Sequence, residues 1–123
     1  MTETLSAKAA QALEWPKVLE CVAQGAQSVL GAARCRAMVL DNDIEVLARR
    51  QRETTEWLRL GEGSDPAPVL TFPDARELVE RAGKGGVLEA LELRDCGLVL
   101  ARIEEVARYC ARHAHEAPTV VAM

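Results

Sequence analysis

Apolar residues recur at helical spacing along most of this chain, and the pattern is sharpest between Asp74 and Cys110. Ala75, Leu78, Val79 and Ala82 form one apolar stripe on a short helix. Gly83 closes that helix in this reading, because glycine takes up the left-handed C-terminal conformation without strain. Gly85 and Gly86 then reverse the chain, and Val87 and Leu88 fold back as an apolar plug. From Leu91 a longer helix carries Cys96, Val99, Leu100, Ile103, Val106, Ala107 and Cys110 on one face. Arg94, Arg102, Glu104, Glu105 and Arg108 occupy the other. The pattern predicts a helical hairpin over 74–115, with Gly83, Lys84, Gly85 and Gly86 as its structural turn.

Upstream, the chain reads as a weakly ordered end up to Ala9, then two or three helices within 10–60. Pro16 suits the first residue of a helix, where its missing N–H costs nothing. Val18, Leu19, Val22 and Ala26 follow as its apolar positions. Gly25 weakens this helix and Ser28 can cap a second, with Val29, Leu30, Ala33 and Ala37; a single kinked helix is the alternative. Asp41, Asn42 and Asp43 open a further helix to Leu60, since short polar side chains satisfy free helix N–H groups. Its stripe of Ile44, Leu47, Ala48, Trp57 and Leu58 is diluted by Gln51, Thr54 and Thr55, so it is partly buried or meets a partner. The glycine- and proline-rich segment 61–73 is a loop, in which Val69–Phe72 is extended. Residues 116–123 read as an unpaired tail. The expected fold is all-α: a single domain or fragment, 1–123, built as a bundle of about five helices.

Composition narrows the class. The chain is 49% hydrophobic and 28% charged, which places it among globular rather than disordered sequences. Trp15, Trp57, Phe72 and Tyr109 are its whole aromatic set, so Leu, Val and Ala must fill a core between helices. A net charge of −4 argues against a self-sufficient nucleic-acid module, which presents a basic face. The N-terminus lacks the basic start and apolar run of a secretory leader, and no apolar run is long enough to cross a membrane. A cytoplasmic location, without membrane partners, is therefore expected. Cys21 and Cys35 are 14 residues apart, as are Cys96 and Cys110, so each pair shares a helix face but cannot bridge. All four read as small buried hydrophobes in a reducing compartment.

The search for chemistry is mostly negative. Gly83-Lys84-Gly85-Gly86 lacks the spacing, the following Ser or Thr and the preceding strand of a phosphate loop, so Lys84 reads as a turn lysine. Cys110, His113 and His115 are too few ligands for a metal site, and histidines near a helix C-terminus favour its dipole without one. Arg49, Arg50 and Arg52, beside Gln51, could meet nucleic-acid phosphates. Glu45, Glu53 and Glu56 around them favour salt bridges within the helix instead. No catalytic, cofactor-binding or metal site is encoded in this reading.

Several strings nevertheless occur in a telling order. Leu13-Glu14-Trp15 with Val18-Leu19 open the first helix, Gly31 lies in the second, and Glu53-Thr54-Thr55-Glu56 lie on the third. Asp74-Ala75-Arg76, Glu80-Arg81-Ala82, Lys84-Gly85-Gly86-Val87-Leu88 and Glu92-Leu93 follow in the hairpin. In this order they resemble the N-terminal region of the bacterial endonuclease MutS-two family, a branch of the MutS mismatch-repair ATPases. Ala90 departs from the pattern, standing where the family has a small polar cap.

The resemblance implies the first part of a helical core, or lever, domain, coupling a DNA clamp to an ATPase dimer. ATP with Mg, branched or mismatched DNA, homodimerisation, nicking, recombination and the splitting of stalled ribosomes would then belong to the full-length protein. Downstream ATPase and nuclease domains would be this segment's partners. Two other readings compete. One is a stand-alone helical adaptor that binds through its 43–60 face. The other is a small metal- or thiol-dependent enzyme resting on Cys110, His113 and His115.

Overall fold

The computed structural model describes residues 6–123 and contains seven helices among them, with no strand. They are α1 (Ala7–Ala12), α2 (Trp15–Gln24), α3 (Val29–Arg36), α4 (Ile44–Glu62), α5 (Arg76–Gly83), α6 (Ala90–Arg112) and α7 (Pro118–Val121). Five of them, α2 to α6, have eight residues or more, so the all-α bundle is as expected. No helix among the described residues is long and apolar enough to cross a membrane.

The N-terminal part folds locally. Ser6 accepts a hydrogen bond from the Ala9 amide and so starts α1, in a stretch expected to be weakly ordered from sequence. Pro16 lies in the first turn of α2, where no N–H is missed. Ser28 caps α3 through the Gly31 amide at 3.0 Å, which resolves the break after Gly25 into two helices rather than one kinked one. Arg36 clamps Glu20 with two hydrogen bonds, of 2.7 and 3.0 Å, and fixes α3 against α2 above the buried Leu19 and Ala23. Leu70 donates its amide to the Gln27 side chain at 2.7 Å, which ties the extended stretch 69–72 to the α2–α3 turn.

The largest correction concerns the C-terminus. Instead of an unpaired tail, Pro118–Val121 forms α7 and packs against α4 and α6. The reason is Glu56, whose carboxylate accepts the amides of Thr119 and Val120 at 2.8 and 2.9 Å and the Thr119 hydroxyl at 2.7 Å. It satisfies donors that a short helix leaves free at its start. Behind it, Leu60, Tyr109 and Ala117 form the core cluster, with Trp57, Ala67 and Val120 packed on it. Trp57 meets Tyr109 edge to face, centroids 6.4 Å apart.

The core therefore lies where the C-terminal ends of α4 and α6 meet α7, away from the glycine turn. The apolar face of α6 is largely open: Leu100 is 67% exposed and Ile103 60%. Of the expected plug, Leu88 is half buried while Val87 is 90% exposed. The four cysteines are free, and none is fully buried: Cys21 is exposed and Cys35, Cys96 and Cys110 are intermediate. The accessible surface is 9455 Å². A compact monomer of 13.4 kDa exposes about 6,500 Å². Around 3,000 Å² of surface that a compact domain would bury is thus left open.

Candidate functional site

The glycine turn is built from backbone hydrogen bonds. The helix α5 runs through Gly83, so the expectation of a left-handed Gly83 is corrected: the positive φ, +83°, belongs to Gly85. The Gly85 amide donates to the Ala82 carbonyl at 3.0 Å and the Gly86 amide to the Arg81 carbonyl at 2.9 Å. Together these are the paired C-terminal bonds that end a helix on a left-handed residue. A Cβ at Gly86 would come within 2.8 Å of the Arg81 carbonyl oxygen, whereas one at Gly83 meets open space. Each glycine thus has a different part, and only Gly85 and Gly86 are constrained.

Side chains then lock the hairpin. Arg81 forms an ion pair with Glu92 across the turn and holds the Glu92 carboxyl below its ordinary value. Glu92 also accepts the Glu89 amide at 2.9 Å, closing a capping box at the start of α6. Glu89 rather than Ala90 is therefore the cap. Lys84 pairs with Glu80 one turn back at 2.6 Å, both well exposed. These contacts explain why Arg81, Gly85, Gly86 and Glu92 occur together in one string.

Arg49, Arg50 and Arg52 all stand exposed on the N-terminal half of α4. Arg49 pairs with Glu53 at 3.5 Å. Burial works to raise the Glu56 carboxyl, but the Thr119 and Val120 hydrogen bonds, aided by the Arg52 charge, hold it below its ordinary value. The structure does not bring the arginines together with the Lys84 turn on one element; the two lie on α4 and just after α5.

Beside the core, residues far apart in sequence meet in a polar junction. The two ring nitrogens of His113 face Asp65 at 2.9 Å and Glu116 at 3.2 Å, rather than Cys110 or His115. Arg112 donates to the same Asp65 oxygen at 3.0 Å and lies over the Tyr109 ring, and the Tyr109 hydroxyl reaches the Asp65 carbonyl at 3.2 Å. The Asp65 hydrogen bond raises the His113 pKa, and His113 with Arg112 lowers that of Asp65. Among the described residues no group of three or more His, Cys, Asp or Glu is placed to hold a metal ion. Pro118, a residue suited to a first helical turn, was the one signal that could have announced α7 and this junction.

A further feature is apolar. Leu30, Leu70, Phe72, Val99, Ile103 and Val106 line an open groove of about 540 Å³, and Val79 and Pro73 continue it toward α5. Arg102 lies along it, pairs with Glu105, and keeps its Nε buried without a hydrogen-bond partner. The groove proper is lined by apolar side chains and Arg102, while Arg76 and Glu80 stand at its continuation toward α5. It can receive an apolar helix face.

Comparison with known proteins gives a consistent result. The chain is 32% identical over 97 residues to endonuclease MutS2 of Symbiobacterium thermophilum, covering 79% of this chain and 12% of that protein. It is 32% identical over 110 residues to endonuclease MutS2 of an Anaeromyxobacter species, covering 80% of this chain and 14% of that protein. It is 34% identical over 86 residues to endonuclease MutS2 of Pelotomaculum thermopropionicum, covering 70% and 11%. The chain thus spans only a small part of each relative's length. No family model and no solved structure matches it.

Proposed function

We propose that this chain, a sequence relative of a small portion of endonuclease MutS2, serves as a non-catalytic helical core segment of a MutS-like protein. Its part there is mechanical: to connect a DNA clamp with an ATPase dimer. ATP and Mg, branched or mismatched DNA, the ribosome and nuclease chemistry belong in this reading to other domains of a cytoplasmic full-length protein. The observation that carries it is the open apolar surface. A segment cut from a larger helical core leaves uncovered the faces its neighbours would bury, as the Leu30–Phe72–Ile103 groove is left here. The unpartnered Arg102 Nε fits the same account, since a covering segment can supply its acceptor.

A stand-alone adaptor acting through the 43–60 face finds less support. Glu56, Trp57 and Leu60 of that helix are already engaged by α7 and the core. The decisive experiment co-expresses this chain with a MutS2 relative lacking its matching segment. Copurification with restored DNA-stimulated ATPase activity is expected. A chain that neither binds the remainder nor restores its activity overturns the reading.

A further inference from the structure

The His113 ring joins two parts of the chain that are far apart in sequence. Its side chain is only 14% exposed, with Nε2 2.9 Å from Asp65 of the 61–73 loop and Nδ1 3.2 Å from Glu116 at the turn into α7. A cationic imidazole carries a proton on both nitrogens and donates to both carboxylates at once. A neutral one carries a proton on a single nitrogen, so in either tautomer one carboxylate faces a bare lone pair. We propose that His113 is a proton-operated latch for α7. Protonated, it ties the turn at Glu116 to the loop at Asp65; neutral, it holds one end only, and α7 lifts from α4 more often. This assignment does not depend on the MutS relationship.

The geometry of α7 makes it sensitive to such a latch. It has four residues, too few to persist as a helix without its neighbours. Its turn hangs on His113 twice, because the His113 carbonyl also accepts the Glu116 and Ala117 amides, both at 3.0 Å. The ring is faced by Asp65 from the loop, by Glu116 from the turn, and by Tyr109 of its own helix, whose ring lies 4.6 Å away. Arg112, also of α6, shares the Asp65 oxygen. From α4 and α7 the junction receives the apolar Trp57, Leu60 and Val120, while the Glu56 carboxylate of α4 is engaged by Thr119 and Val120. Histidine is the side chain that changes charge near neutrality, and the Asp65 hydrogen bond raises the His113 pKa toward that range. Lifting α7 uncovers Trp57 and Leu60, so the proton on His113 governs access to that part of α4.

Hydrogen exchange of the Thr119 and Val120 amides, followed by NMR and corrected for the intrinsic exchange rate, reads the opening of α7. In the parent chain their protection should fall severalfold as pH rises through the His113 titration, which the ring protons report in the same sample. The Gly31 amide, held by Ser28 at the start of α3, should keep its protection over that range. His113→Gln, which retains a side-chain donor but does not titrate, should abolish the fall, and Asp65→Asn should shrink it. His115→Asn removes the other histidine of the chain and should leave the fall intact. Constant α7 protection across the parent's His113 titration, a fall that survives His113→Gln, a fall lost in His115→Asn, or one shared equally by Gly31 would each overturn the latch.

Discussion

The two ends of α6 are held in opposite ways. At its C-terminal end Tyr109 is 1% exposed and Ala117 is fully buried, and side chains from α4, the 61–73 loop and α7 converge on them. At its N-terminal end nothing large is buried: the chain is shaped by Gly85, the close approach of Gly86 to Arg81, and the Arg81–Glu92 pair. One end depends on contacts distant in sequence, the other on local backbone geometry. The difference teaches that a helix can be positioned accurately at an end that contributes little burial, provided its turn leaves the backbone no choice.

Removing the aromatic anchor breaks the comparison at its strong end. Tyr109→Ala deletes the ring that touches Trp57 and whose hydroxyl reaches the Asp65 carbonyl. Losses for fully buried aromatic residues are about 3–5 kcal/mol. Denaturant titration should show a loss of that size, and hydrogen exchange should show α7 released first. A variant that unfolds like the parent would mean that the core is elsewhere.

A smaller effect is expected at the turn, and it separates the glycines. Gly85→Val places a β-branched residue at φ +83°, and Gly86→Val drives a side chain into the Arg81 carbonyl. Each should cost about 1–3 kcal/mol. Gly83→Ala, in open helical space, should instead stabilise by about 0.4–1 kcal/mol. Lys84→Ala, which breaks only an exposed pair, should change stability by no more than about 0.5 kcal/mol. Thermal melts of the four variants check the order; equal melts for Gly83→Ala and Gly85→Val would remove the distinction between them.

The contrast also decides what could be read from the residues alone. The hairpin and its turn were legible because both are local: the stripe Ala75–Ala82, the glycines and the α6 period all lie within one stretch. Assigning the left-handed position to Gly83 failed because α5 continues through Gly83 with Lys84 as its cap, which moves that position two residues on, to Gly85. The junction was not legible. Glu56 meets Thr119 across 63 positions, and Asp65 meets His113 across 48. No periodicity reports such a meeting. Glu56 lies in the Glu-Thr-x-Glu pattern as a charged helix residue, and its work as a cap appears only once α7 is folded beside it.

The smallest expected effect is a pH dependence confined to the strong end. His113 faces Asp65 and Glu116, with Arg112 beside them, and its pKa is raised above 6.5 chiefly by the Asp65 hydrogen bond. A group bound more tightly to its proton in the folded state stabilises fully below its unfolded pKa, and that gain fades as pH rises through the folded value. The opposite holds for Asp65, lowered from 3.8, and for Glu56, lowered from 4.5, whose contributions fade as pH falls. Stability should therefore be greatest between roughly pH 4.5 and 6.5 and decline on either side. These groups are reached by solvent, so salt should flatten the curve. Asp65→Asn removes the main cause of the histidine shift and should flatten the alkaline limb of a Tm–pH profile, more than Glu116→Gln does. Residues at the glycine turn present no histidine, so Glu92→Gln should leave that limb unchanged. An alkaline limb that survives Asp65→Asn, or that disappears with Glu92→Gln, would place the titrating contact outside the junction.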